Sequence, residues 1–176
     1  MIIVPGYLNS DPDHWQTRWE KLYAGTRVKQ HDWEFPVMTQ WVQGLDDAIR
    51  QINDRVVLVA HSLGCSTIAF WARSVSAETL AKVDGALLVA PPDTEAPDFI
   101  PAIQGYAPLP QTRLPFQSIL VASSDDPYCK LERAEQMANH WGSTFKKLGP
   151  YGHINTASGL GEWPEGQRWL ADITHS

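Results

Sequence analysis

Hydrophobic and polar positions along the chain follow two alternating rhythms. Short apolar or β-branched runs of strand length lie at 2–4, 27–30, 56–60, 86–90, 119–122 and 145–148, the run at 27–30 being the weakest. Between them apolar residues recur at helical spacing: Trp15, Trp19 and Leu22 share one face, and Met38, Trp41, Val42, Leu45, Ile49 and Ile52 share another. Further helices are expected from Ser62 to about Val75, over 131–141 and over 167–173. Strands alternating with helices of this length form βαβ units, so the pattern predicts an α/β fold. Its core would be one mostly parallel sheet of about six strands covered on both faces. The runs at 56–60 and 86–90 are apolar at every position, as central strands buried on both faces require.

One stretch breaks the rhythm. Seven prolines (91, 92, 97, 101, 108, 110 and 115) fall within residues 91–115, a density that prevents a regular helix or a central strand. A segment of this length without periodicity is either a lid or binding element over a site, or a packed surface excursion.

With 176 residues, 43% of them hydrophobic, the chain can bury one good core and is too short for two ordinary domains. A single domain over 1–176 is expected. The balance of 14 basic and 20 acidic residues, net charge -6, with no run of Lys or Arg, argues against nucleic acid as a partner. The first residues lack the basic start and apolar stretch of a signal peptide, and no window holds 18 uninterrupted apolar residues. The expectation is a soluble, cytoplasmic protein without a membrane anchor. Cys65 and Cys129 stand alone, without Cys-x-x-Cys spacing or clustered histidines, so buried free thiols are expected rather than a disulfide framework or a zinc site.

Ligands of open parallel sheets bind beyond the carboxyl ends of the strands, so the residues that follow each strand carry the functional reading. These are Pro5-Gly6-Tyr7-Leu8, His61-Ser62-Leu63-Gly64, Pro91-Pro92-Asp93, Ser123-Ser124-Asp125-Asp126-Pro127 and Gly149-Pro150-Tyr151-Gly152-His153. A serine, candidate acids and a histidine therefore meet at one sheet edge. A serine hydroxyl becomes a nucleophile at neutral pH only beside a base, and the base needs a third group to fix its tautomer. Ser62 sits between a buried strand and a helix, as a nucleophile elbow requires, although Ala60 replaces the first glycine of G-x-S-x-G while Gly64 keeps the second. The order serine, acid, histidine is that of α/β-hydrolases. In that reading the backbone N–H groups of Leu63 and Tyr7 form an oxyanion hole.

The segments V-L-V-A-H-S-L-G, A-S-S-D-D-P-Y and Y-G-H-I-N, with the opening I-I-V-P-G-Y, resemble the small serine hydrolases related to YdeN and to retinoblastoma-binding protein 9. The resemblance runs essentially the whole chain. It implies a minimal α/β-hydrolase fold without a large cap, a triad of Ser62, Asp126 and His153, and hydrolysis of a small ester or amide through an acyl-enzyme without metal or cofactor.

The residues alone leave alternatives. Ser62 could be only an N-cap. Either Asp125 or Asp126 could start the turn at Pro127, and Asp93 could also reach the histidine; the family pattern favours Asp126. Asn155 is expected to anchor the histidine loop through backbone hydrogen bonds. Leu8, His61, Asp93 and Trp163 are candidates for the substrate cleft, His61 alternatively for loop packing, and Trp33 for an apolar pocket. His14, His31, His140 and His175 lack metal-like spacing and are expected at the surface. Two rival functions stand beside the hydrolase: a catalytically silent interaction module that binds a protein, and a lyase or acyltransferase using the same serine. Nothing in the sequence specifies a protein partner.

Overall fold

A computed structural model describes residues 1–174; the expectation for His175 lies outside the described residues. Six parallel strands form one sheet in the order β2-β1-β3-β4-β5-β6. In chain order these are β1 (Ile2–Val4), β2 (Thr26–Arg27), β3 (Val56–His61), β4 (Val83–Val89), β5 (Gln117–Ser123) and β6 (Thr144–Leu148). The helices are α1 (Trp15–Leu22), α2 (Met38–Arg50), α3 (Leu63–Ser74), α4 (Ala77–Leu80), α5 (Leu131–Trp141) and α6 (Pro164–Thr174).

Alternation along the strands divides the core into two layers, because successive side chains point to opposite faces. Ile2, Val4, Leu58, Ala60, Ala86, Leu88, Leu120 and Ala122 join α2, α3 and α5 on one face. Ile3, Val57, Val59, Leu87, Val89, Ile119 and Val121 meet Trp15 and Trp19 of α1 and Leu170 and Ile173 of α6 on the other. Trp15, Trp19, Trp71 and Trp141 are fully buried in these layers, and Trp41 is fully buried in a smaller cluster with Leu63 and Tyr106. At ~25 cal/mol per Å² of apolar surface removed from water, such side chains dominate the stabilising side of folding.

The structure moves several expected boundaries. The weak strand expected at 27–30 is a two-residue element at 26–27, although the Val28 N–H still donates to the Ile3 carbonyl. The last helix begins at Pro164, three residues before the periodic segment, with proline at the first helical position where its missing N–H costs nothing. Helix α4 was not expected; four residues are too few for a period, and its signal is the Ser76 cap, whose Oγ accepts from the Thr79 N–H at 3.2 Å.

The proline-rich segment is a packed excursion rather than a free flap. The Tyr106 side chain is buried against α3, and the carbonyls of Gln104 and Pro110 accept from the Met38 N–H and Trp141 Nε1. The segment nevertheless returns to the carboxyl edge of the sheet, where part of it borders the site.

Candidate active site

Strand β3 runs between β1 and β4 and delivers Ser62 at its carboxyl end. The Ser62 backbone is held at φ 54 and ψ −126, a conformation unfavourable for a residue with a Cβ and of the kind tolerated at functional turns. Its hydroxyl makes no capping bond to α3, so the structure does not support the helix-cap role. Close packing explains the glycines around it. A Cβ on Gly64 would stand 2.2 Å from the Val4 carbonyl oxygen, and one on Gly6 would stand 2.7 Å from the Ser62 Cβ and 3.1 Å from the Leu63 nitrogen. Ala60 is tolerated because its methyl lies wholly within the hydrophobic layer of Ile2, Val4 and Leu58, not in the turn.

The loops after β5 and β6 bring the other two groups. His153 Nε2 is 2.8 Å from Ser62 Oγ, and His153 Nδ1 is 3.0 and 2.9 Å from the two carboxylate oxygens of Asp126. The Asp126 side chain is only 3% exposed, and its Oδ1 also accepts from the Tyr128 N–H at 2.9 Å. With Nδ1–H given to the carboxylate, Nε2 is left as an acceptor facing the serine hydroxyl. The Tyr128 ring packs edge-on against His153, with centroids 4.6 Å apart.

Asp125, the neighbour, has a different task. Its Oδ1 lies 2.7 Å from Ser123 Oγ and accepts from the Gly152 N–H at 2.7 Å, tying the β5 loop to the histidine loop. The Ser123 hydroxyl, then the Gly152 amide, hold its carboxyl below the usual range. Asp93 does not reach the histidine: its carboxylate pairs with Arg133 at 3.2 Å, and Arg133 also pairs with Glu95. Asn155 anchors its loop as expected, its Oδ1 accepting from the Ala157 N–H and its own N–H donating to Ser158 Oγ.

These groups open onto a cleft of about 600 Å³. Tyr7, Leu8, His61 and Leu63 line it, whereas Asp93 and Trp163 do not. Trp163 is buried in the layer beneath the sheet, among Trp15, Trp19 and Trp169. Trp33 likewise packs edge-on against Trp41, 5.5 Å away, and does not line the cleft. His61 combines both expected roles. It borders the cleft, and its Nε2–H donates to the His153 carbonyl at 2.8 Å, bracing the backbone of the histidine that faces Ser62.

His14 corrects the surface expectation, being 3% exposed and part of the cleft wall. As the N-cap of α1 its Nδ1 accepts from the Gln16 N–H at 3.1 Å, so the neutral ring carries its proton on Nε2. Burial, the dominant cause, drops its pKa to about 4, and burial first, then His14, pushes that of His61 well below the ordinary value. The rings of His14, His61 and His153 form a row with centroids 4.7 and 4.9 Å apart. Local sequence carries little warning of this, since His14 follows Asp11-Pro12-Asp13, a polar turn. Phe99, Ile100, Ile103 and Tyr128 also line the cleft without having been singled out; three of them come from the aperiodic segment.

Cys65 and Cys129 are buried free thiols, as expected, and burial raises both pKa values, that of Cys129 to about 12. Among the described residues no group of His, Cys, Asp and Glu is arranged to hold a metal ion, and no helix is long and apolar enough to cross a membrane.

Solved structures share this architecture. A YdeN-like hydrolase from Pectobacterium atrosepticum is 28% identical, with a TM-score of 0.85 over 99% of this chain and 89% of that one. The ydeN gene product of Bacillus subtilis is 19% identical, with a TM-score of 0.78 over 99% and 98%. A Bacillus cereus carboxylesterase, 13% identical with a TM-score of 0.64 over 98% and 87%, shares the fold. None of the curated proteins matches. The fold is the α/β-hydrolase fold, and the chain is a hydrolase similar to these YdeN-like structures. The family model described as serine hydrolase matches residues 1–172, and the chain belongs to that family.

Proposed function

We propose that the protein hydrolyses a small ester or amide by nucleophilic attack of Ser62, with His153 as general base and acid and Asp126 as the group that orients it. The observation that carries this reading is the continuous hydrogen-bonded line from Ser62 Oγ through His153 to Asp126. As Oγ attacks the acyl carbonyl, its proton passes to His153 Nε2, and the resulting imidazolium is stabilised by the Asp126 carboxylate. The carbonyl oxygen becomes an oxyanion, held by the N–H groups of Leu63, at the start of α3, and Tyr7, in the loop that lies against the elbow. Collapse breaks the bond to the leaving alcohol or amine, which takes the proton from Nε2 and departs. Water, deprotonated by the same nitrogen, then attacks the acyl-enzyme, releases the carboxylic acid and restores Ser62.

A fluorophosphonate probe tests the proposal directly. The wild-type protein is expected to label covalently at Ser62, and Ser62→Ala to lose labelling and ester turnover together. A wild-type protein that does not label would overturn the enzymatic reading and favour a silent interaction module.

A further inference from the structure

The two sides of the cleft differ in chemistry. Asp11 and Thr156 border one side, joined by a hydrogen bond from Thr156 Oγ1 to Asp11 Oδ2, with Asn155 beside them. On the other side stand Phe99, Ile100 and Ile103, and Phe99 and Ile103 pack against the buried cluster of Trp41, Leu63 and Tyr106. Among the described residues no Lys or Arg lines the cleft. The arginines behind it are committed: Arg133 to Asp93 and Glu95, Arg27 to Glu20 and to Asn9 Oδ1.

We propose that the acyl group selected by this site is uncharged and apolar, seated against Phe99, Ile100 and Ile103, and that acyl groups carrying an anionic end are rejected. This rests on the reading of Ser62 as nucleophile and deepens it. The side assignment follows from the proton path. His153 must protonate the leaving group, so the leaving group lies toward His153 and the Asn155–Thr156 loop. The acyl chain extends the other way, past Leu63, onto the apolar side. An acyl carboxylate there would surrender its hydration without gaining a cationic partner, and a buried unpaired charge is costly. The neutral state of His14 and His61 leaves no substitute cation at neutral pH.

The test compares two esters with the same leaving group and acyl length: p-nitrophenyl hexanoate and the mono-p-nitrophenyl ester of adipic acid. For the wild type, kcat/KM is expected to be at least about a hundredfold higher for the hexanoate. Ile103→Lys, which places a cation on the apolar side, is expected to shrink that ratio at least about tenfold by raising adipate turnover and lowering hexanoate turnover. Ile100→Lys at a neighbouring half-buried position is the second variant, and fluorophosphonate labelling reports that the site is intact in each. If wild type turns over both esters equally in a Ser62-dependent way, the nucleophile stands and this inference is overturned. An unchanged ratio in both labelled lysine variants would also overturn it. If neither ester is turned over through Ser62, the proposed function falls and this inference with it.

Discussion

The two regions that make the cleft are built by opposite means. The loops after β3 and β5 are short and start from buried strands, and hydrogen bonds from His61 and Asp125 tie both strand ends to the histidine loop after β6. The 91–115 segment is long and aperiodic, and it is held from outside, by the Tyr106 ring, by backbone bonds to α2 and by Trp141. A short loop on a rigid strand fixes a side chain to within a fraction of an ångström, which proton transfer requires. A long packed segment can change shape without moving those groups, and shape is what selects a substrate. On the proposed function, reactivity and selectivity rest on different parts of one cleft.

The contrast can be broken most severely at the strand-end loops. Asp126→Asn is expected to lower kcat/KM by about 10³ to 10⁴ because it removes the acceptor that fixes the His153 tautomer. Asp125→Asn should cost less than about tenfold in kcat/KM and act mainly on stability, since its carboxylate ties loops instead of facing the imidazole. Steady-state kinetics of the two variants, paired with thermal melts, separates them; the reverse ranking would reassign the acid.

Gly64→Ala comes next, with an expected loss of about 3 kcal/mol or more in urea unfolding, because the new methyl meets the Val4 carbonyl of a central strand that cannot yield. A wild-type melting curve for this variant would contradict the tight elbow.

Acid should act on the same region through the buried histidines. The folded-state pKa of His14, about 4, lies below the ordinary 6.5, so the unfolded chain binds more protons between these values. Stability is then fully present above about pH 6.5 and falls as pH drops toward 4, by about 3 kcal/mol from His14 alone. Denaturant unfolding at pH 7 and pH 4.5 reads this. His14→Asn keeps a helix-capping side chain without an imidazole and should flatten the difference.

The smallest effect belongs to the outer region. Thr67 Oγ1 donates to the Leu63 carbonyl, so the Tyr106 hydroxyl, 2.8 Å away, donates to Thr67. Tyr106→Phe loses that bond and is expected to cost about 1 kcal/mol while leaving Ser62 labelling intact. Its signature is a narrowed hexanoate-to-adipate ratio, which would sharpen the separation of the two regions; slowed labelling would instead show them coupled.

Much of this protein is determined by sequence alone. Strand and helix periods at 56–60, 131–141 and their neighbours are local consequences of which faces must be buried, and they stand in the structure with small shifts of boundary. Ser62, His153 and the presence of an acid near them were legible because parallel strands put their carboxyl ends on one edge, so position after a strand already implies proximity. Tertiary structure alone decided the rest. Asp125, Asp126 and Asp93 are equivalent in composition, and only the path of each loop separates the one that meets His153 from those that meet Gly152 or Arg133. Trp163 became core and His14 became cleft wall because burial depends on what packs over a residue from distant parts of the chain. The apolar side was hidden for the same reason: residues 91–115 carry no period, and contacts with α2, α3 and α5 give them their shape.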